Sequence, residues 1–239
     1  MSDRPAPRIL PCGDTAVAVE FGEAIDPALS ARVLALDAEL AGRPWLVETV
    51  PTYRSLLVIY DPVQIGFDEL GESLLEAAAS AVPASASGRT WTIPVAYGGE
   101  HGIDLEATAA THGITPEELV RRHSAPLYQV YMIGFLPGFA YLGGLDPSIA
   151  TPRRTNPRLK TPPGTISIGG VQALVASIEA PSGWHLLGRT PVRNFMPDRE
   201  PAFLLRPGDR VRFEPIEPRL FDELDRAAAA GAIVAEQTS

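Results

Sequence analysis

The sequence lacks the features that define several common classes of protein. It contains a single cysteine, Cys12, so no internal disulfide can form and nothing points to a secreted disulfide scaffold. Its first ten residues, MSDRPAPRIL, lack the apolar core of a signal peptide. No uninterrupted apolar run approaches the roughly 18 residues of a membrane span. We therefore expect a cytoplasmic protein.

Familiar catalytic motifs are missing as well. The chain has no GxxxxGK[ST] loop, no GxGxxG after a strand, no HExxH, no CxxC and no GxSxG. Four histidines lie too far apart for a local metal motif, namely His101, His112, His123 and His185. No metal site is therefore expected in this chain. Ser167 and Ser182 have no evident base beside them, and a serine in a glycine-rich turn usually serves turn chemistry, so the catalytic residues stay unidentified.

Charge is unevenly distributed along the chain, and positive charge is scarce in residues 1–88. The formal net charge of −9 disfavours a nucleic-acid partner. Residues 1–88 carry 5 arginines against 13 acids, whereas residues 121–212 carry 12 cations against 5 acids. A basic segment in an acidic protein favours a small anionic ligand, such as a carboxylate or phosphate, or an acidic partner surface. The alternative is that these cations are solvated or pair with acids of the same chain.

Hydrophobic periodicity divides the chain into two predicted domains. Residues 1–88 follow the order strand, strand, helix, strand, strand, helix, which is typical of a small α+β domain and ends in a flexible linker, PASASG, at 83–88. Residues 89–239 open with the strand TWTIPVAY and two short helices. Short apolar runs separated by Gly and Pro then indicate a barrel or sandwich, followed by a C-terminal helix over 218–230. The predicted class is α+β.

The segment 131–190 is predicted to carry the functional surface. It begins YMIGFLPGFAYLGGL, ends GWHLLGRT, and contains TPRRTNPRLK, which holds four cations and no acid. Glycines allow close backbone approach, prolines fix loop shape, and aromatic residues supply flat contact surface. We expect a rigid, basic, concave surface here.

The same motifs resemble one known family. The likeness is carried by YMIGFLPGFAYLGGL, by Pro-Arg pairs at 152–153 and 157–158, by PPGT at 162–165, by GW at 183–184 and by LLGRTP at 186–191. These residues are similar to the family of the 5-oxoprolinase B subunit, which also contains allophanate hydrolase subunit 1 proteins and KipI-like inhibitors of a histidine kinase. The likeness covers roughly residues 8–216. One departure is APSGW at 180–184, where the family usually has SPGGW.

The resemblance implies a cyclophilin-like β-barrel after the α+β domain. It also implies a protein that is inactive alone and acts with two others, a homologous barrel protein similar to the C subunit of 5-oxoprolinase, and a third chain similar to its A subunit. Together these would open 5-oxoproline to glutamate with ATP, and which of the three chains binds ATP stays open. The alternatives are a KipI-like histidine-kinase inhibitor and an allophanate hydrolase subunit 1 or biotin-dependent carboxyltransferase half. No nucleic-acid or membrane partner is expected.

Such chemistry needs cations for a developing phosphoryl charge and a desolvated pocket for the ring. The predicted substrate- or nucleotide-binding cations are Arg153, Arg158, Lys160 and Arg189. The predicted aromatic walls are Phe135, Phe139, Tyr141 and Trp184. Loop shape is attributed to Gly134, Pro137, Gly138, Gly143, Pro162, Gly164, Gly183 and Gly188. The alternative interpretation places the aromatic residues in the barrel core and leaves the cations in solvent.

Overall fold

The computed structural model describes residues 6–82 and 88–238. The chain divides into two compact units, Met1–Ser87 and Gly88–Ser239, and each has its own hydrophobic core. The predicted linker at 83–88 lies outside the described residues except for Gly88. Within the described ranges, no helix combines the length and apolar character that crossing a membrane requires.

The first unit is a four-stranded antiparallel sheet packed against two helices. Its elements are β1 (Arg8–Pro11), β2 (Ala16–Glu20), α1 (Pro27–Leu40), β3 (Leu46–Pro51), β4 (Ser55–Tyr60) and α2 (Phe67–Ser80). The strand order is β1-β2-β4-β3. Side chains alternate between the two faces of a strand, so Val17 and Val19 of β2 and Leu56 and Val58 of β4 join the helices in one core.

The second unit is a closed barrel with helices outside it. Its elements are β5 (Thr90–Tyr97), α3 (Leu105–Thr111), α4 (Pro116–Ser124), β6 (Tyr128–Ile133), β7 (Ala140–Gly143), a 3₁₀ turn (Pro147–Ile149), β8 (Arg158–Thr161), β9 (Thr165–Gly169), β10 (Gln172–Val175), β11 (Ala180–Ser182), β12 (His185–Arg189), β13 (Arg210–Ile216), α5 (Pro218–Ala229) and β14 (Glu236–Thr238). Seven strands close in the order β12-β9-β10-β7-β6-β13-β5, and β5 pairs back to β12. Strand β14 extends the edge of β5, and β8 with β11 forms a separate two-stranded ribbon.

Closure depends on a close approach between β5 and β12. Gly188 lies opposite Tyr97, and a Cβ at Gly188 would stand 2.6 Å from the carbonyl oxygen of Ala96. A side chain there would therefore separate the strands that complete the barrel. The interior is filled by buried apolar residues, among them Ile93, Val130, Leu142, Ile166 and Val211. The predicted α+β class with a barrel is confirmed.

Side chains cap the starts of two helices. Asp26 accepts a hydrogen bond from the Ala28 N–H at 2.6 Å, with Pro27 in the first turn of α1. Thr115 accepts one from the Glu118 N–H at 3.2 Å at the start of α4. These caps satisfy backbone donors that a helix end otherwise leaves without partners.

Candidate functional site

A cavity of about 350 Å³ lies between the outer face of the barrel and the β8–β11 ribbon. Its floor is formed by Phe139, Leu174 and Trp184, and its walls and rim by Phe135, Tyr141, Arg153, Arg154, Pro157, Pro181, Ser182 and Gly183. This volume falls at the lower end of the roughly 300–1,000 Å³ typical of small-molecule sites. The cavity therefore suits a compact ligand.

The floor belongs to the outward face of the sheet. In β10, Ala173 and Val175 point into the barrel, so Leu174 points outward, where it lies opposite Tyr141 of β7. Leu174 and Trp184 are both at most 5% exposed, and Tyr141 meets the Trp184 ring edge-on at 5.9 Å between centroids. The floor is thus dry and aromatic, which favours a flat, uncharged part of a ligand.

The turn between β6 and β7 positions two of the rings. Gly138 takes a φ of +77°, and a Cβ there would stand 2.6 Å from a neighbouring side chain. Asn194, fully buried, donates from Nδ2 to the Gly138 carbonyl. Because the turn is held in this way, Phe139 is fixed in the floor and Phe135 at the mouth.

Phe135 is unusual in both backbone and exposure. Its φ of +71° makes it the one non-glycine residue with positive φ in the described ranges, and its side chain is 66% exposed. A left-handed conformation costs an L-residue roughly 1–2 kcal/mol. The ring stands edge-on to Phe139 at 5.7 Å between centroids. Such strain concentrates at functional sites, and here it holds an aromatic ring where an entering ligand would meet it.

Arg153 brings positive charge to the cavity. Its guanidinium carbon lies 5.4 Å from the centroid of the Trp184 ring, within the range of a cation–π contact. In the part of the chain that the structure describes, no carboxylate forms an ion pair with Arg153. The exposed guanidinium is therefore held by an aromatic face rather than by an acid.

Arg154, in the loop before β8, and Arg158, at the start of β8, share an acid partner. Arg158 donates to both carboxylate oxygens of Asp104, at 2.8 and 2.6 Å, and Arg154 lies 3.4 Å from Oδ1. Asp104 is 7% exposed in its side chain and also accepts the Leu186 N–H at 2.8 Å. We name these three side chains, Asp104, Arg154 and Arg158, the Asp104 cluster. It ties the basic loop to the start of α3 and to β12.

The Asp104 cluster keeps its carboxylate ionised. Burial alone would raise the pKa of Asp104. Hydrogen bonds from Arg158 and the Leu186 N–H, together with attraction to Arg158 and Arg154, outweigh that effect and lower the pKa below its usual value. The cluster is thus a structural ion-pair group at neutral pH.

Lys160 and Arg189 lie away from the cavity lining. Lys160 pairs with Glu179 at 2.9 Å on an exposed surface. Arg189 donates to the Pro163 carbonyl at 3.1 and 3.2 Å, and its guanidinium lies 5.1 Å from the Phe221 ring centroid. Of the four cations that the sequence singled out, the structure therefore brings Arg153 to the cavity and places Arg158, Lys160 and Arg189 in other contacts.

The four predicted aromatic residues all line the cavity. Sequence reasoning did not select the other lining residues Arg154, Pro157, Leu174 and Pro181. Arg154 could have been found from its adjacency to Arg153, but Leu174 reaches the site only through strand register. Ser182 accepts a hydrogen bond from the Trp184 N–H at 3.1 Å, so it shapes the turn of the APSGW departure.

The predicted loop-shaping residues differ in how strictly the backbone requires them. At Gly143 and Gly164 an added Cβ would stand 2.1 and 2.2 Å from its nearest neighbour. At Gly134 and Gly183 the nearest atoms would be 3.3 and 3.6 Å away, which is far less restrictive. The two predicted prolines accept side-chain hydrogen bonds at their carbonyls, Pro137 from Ser177 and Pro162 from Thr165.

The cavity lining offers few proton-transfer groups. Within the described residues it contains no Asp, Glu, His, Lys or Cys, and the Tyr141 hydroxyl, whose pKa burial raises, is protonated at neutral pH and cannot act as a base. In these ranges no group of three or more His, Cys, Asp or Glu side chains could hold a metal ion either. A general base would have to come from elsewhere.

The comparisons with known proteins agree with this architecture. A family model, "Carboxyltransferase domain, subdomain C and D", matches residues 7–205, so the fold and the match define a carboxyltransferase-domain protein. The chain is 38% identical over 214 residues to the 5-oxoprolinase B subunit of Bacillus subtilis (strain 168), covering 84% of this chain and 89% of that protein. It belongs to the family of the 5-oxoprolinase B subunit, as its motifs indicated.

Two solved structures share the fold. TTHA0988 is 37% identical with a TM-score of 0.75, over 84% of this chain and 40% of that chain. The Kluyveromyces lactis urea amidolyase is 20% identical with a TM-score of 0.82, over 100% of this chain and 17% of that one. The chain therefore spans less than half the length of both proteins, and the second likeness shows the fold alone.

Proposed function

We propose that this chain is the non-autonomous B subunit of a bacterial ATP-dependent 5-oxoprolinase that opens 5-oxoproline to glutamate. The observation that carries the proposal is the small aromatic cavity, in a chain similar to proteins named as the B subunit of 5-oxoprolinase. 5-Oxoproline is a compact, nearly flat lactam ring. Its apolar faces suit the floor made by Phe139, Leu174 and Trp184.

The lining also supports dependence on partner proteins. Opening an unstrained lactam requires activation of its carbonyl and positioned proton transfer. The described lining supplies no general base, so a homologous barrel protein and a third chain would supply the remaining groups. The exposed, strained Phe135 at the mouth is a suitable contact for such a partner.

We do not assign the nucleoside triphosphate to this cavity. Many ATP sites combine backbone N–H groups of a glycine-rich loop with lysine and metal ions. The chain has no GxxxxGK[ST] loop, and the cavity presents Arg153 while Arg154 is paired with Asp104. ATP would therefore be bound by another member of the complex.

A second candidate is a carboxyl-transfer or allophanate-hydrolysing half. It is favoured by the fold likeness to urea amidolyase, which extends over the whole of this chain. That likeness concerns fold, and unrelated chemistries share folds, so it ranks below the first proposal.

The test is reconstitution. The chain would be co-purified with a homologous barrel protein and a third chain from its own source, and glutamate release from 5-oxoproline would be measured with and without ATP. We expect ATP-dependent release that requires this chain, and none from the chain alone. A complete assembly that releases no glutamate but hydrolyses allophanate would replace the first proposal with the second.

A further inference from the structure

We infer that Arg153 binds the carboxylate of a small cyclic monocarboxylate in this cavity and so selects anionic rings over neutral ones. The inference rests on the proposed function in one respect, because 5-oxoproline is the ring that supplies the carboxylate. The selectivity itself follows from the charges and contacts around the cavity.

The four cations of residues 153–160 differ in their partners. Arg154 and Arg158 pair with Asp104, and Lys160 pairs with Glu179. Arg153 differs from its three neighbours because no acid among the described residues pairs with it. A guanidinium without an acid partner beside an apolar floor is well placed to bind an anionic ligand.

Arg153 is oriented by the ring of Trp184. The Trp184 face lies under the guanidinium at 5.4 Å and orients it by a cation–π contact. Among the described residues the Arg153 guanidinium donates no hydrogen bond, so its N–H groups are available to a ligand. These groups match a carboxylate in a two-pronged arrangement that a lysine cannot reproduce.

The charge of Arg153 acts on a residue of the cavity wall. Burial raises the pKa of Tyr141, and the charge of Arg153 partly opposes that rise. The charge of Arg153 therefore acts on a wall residue that meets the Trp184 ring edge-on. Arg153 itself is exposed at the rim, so its charge meets the ligand's carboxylate at the edge of the apolar floor while the ring lies on that floor.

The charge of the cavity indicates how many negative charges a ligand should carry. The cavity offers a single guanidinium without an ion pair among the described residues, which balances one negative charge. A carboxylate meets that condition, whereas a polyphosphate would need further cations. The site thus favours a monoanion and disfavours a nucleotide.

The experiment measures ring selectivity with the full chain. Ligand-observed NMR or calorimetry would compare 5-oxoproline with 2-pyrrolidinone, the same lactam without its carboxylate, with ATP added as a competitor. The variants are Arg153→Gln and, as the matched control, Lys160→Gln, whose cation lies in the adjoining strand β8 and off the cavity. Thermal melts would verify that both variants fold.

We expect the unmodified chain and Lys160→Gln to prefer 5-oxoproline by at least about tenfold, the loss associated with a charge-assisted hydrogen bond. Arg153→Gln should abolish the preference while leaving 2-pyrrolidinone binding unchanged. ATP should not compete. Retained preference in Arg153→Gln, competition by ATP, or failure of both rings to bind either the chain or the assembled complex would overturn the inference.

Two further arms separate this inference from the proposed function. If the assembled complex releases no glutamate, yet the chain prefers cyclopentanecarboxylate over cyclopentanone through Arg153, then the proposed function alone fails. If glutamate is released and Arg153→Gln has an unchanged KM for 5-oxoproline, then the role of Arg153 alone is wrong.

Discussion

Arg153, in the loop before β8, and Arg158, the first residue of β8, lie five residues apart but in opposite surroundings. Arg158 is fixed by two short hydrogen bonds to Asp104, which is buried. Arg153 rests on the Trp184 ring at the cavity and has no acid partner in the described ranges. The comparison shows that a run of cations is not a uniform binding surface. Acids placed by the fold decide which arginines build structure and which remain for a ligand.

The largest effect is expected at the structural arginine. Arg158→Ala removes both hydrogen bonds to Asp104 and leaves a buried carboxylate with the weaker 3.4 Å contact from Arg154. We expect a loss of about 2–3 kcal/mol in the free energy of unfolding of the second unit. Urea denaturation would measure it. If Arg158→Ala left stability unchanged but abolished activity, Arg158 would be a binding residue. The difference in role between Arg153 and Arg158 would then be wrong.

The next effect is a loss of stability at acidic pH, which we expect from the buried His123. His123 is buried against Phe213, and burial lowers its pKa to about 3. Between the ordinary histidine pKa and that value, the unfolded chain binds a proton that the folded chain does not. Stability should therefore fall as pH decreases below about 6.5, by up to about 1.4 kcal/mol per pH unit.

His123→Phe tests this assignment. The substitution keeps an aromatic ring against Phe213 but removes the titrating group, at the cost of the 2.8 Å hydrogen bond with the Tyr97 hydroxyl. Between about pH 6.5 and about pH 4.5, the free energy of unfolding of the variant should no longer decrease with falling pH as it does in the unmodified chain. An unchanged slope would place the acid sensitivity in other groups.

A smaller loss is expected at lower pH from Asp104 itself. Its folded pKa is lowered, so its contribution is fully present above the ordinary carboxyl pKa of about 4 and is lost as pH falls through the folded value. Other carboxylates, Glu118 among them, also have lowered pKa values, so in the His123→Phe background Asp104→Asn should make this acidic loss smaller without abolishing it. An acidic loss of unchanged size in the double variant would show that Asp104 does not contribute to it.

The smallest effect is expected at Lys160. Its pair with Glu179 is exposed, with side chains 77% and 56% accessible, and solvent screening leaves such pairs little effect on stability. Lys160→Ala should change neither urea denaturation nor glutamate release measurably. A clear loss of activity would show that the ligand or a partner protein extends along the loop beyond Arg153.

What the sequence could predict was local. Asp26 and Thr115 cap helices through neighbours two or three residues away, and the aromatic walls came from one glycine- and proline-rich motif plus Trp184. Such signals depend on spacing along the chain, which the sequence displays directly.

What it could not predict was long-range. Asp104 lies 54 residues before Arg158, and no spacing rule joins them. Leu174 enters the cavity because β10 pairs with β7 in a register that places it opposite Tyr141. Shifting that register by one residue would turn it inward, so its role depends on the tertiary structure.

The most direct test compares Arg153→Gln and Arg158→Ala in the assembled complex, with KM for 5-oxoproline and thermal stability measured side by side. Arg153→Gln should raise KM by about tenfold or more with an unchanged melting temperature, whereas Arg158→Ala should lower the melting temperature. Equal losses of stability in the two variants, or an unchanged KM in Arg153→Gln, would contradict the division between a ligand-binding and a structural arginine.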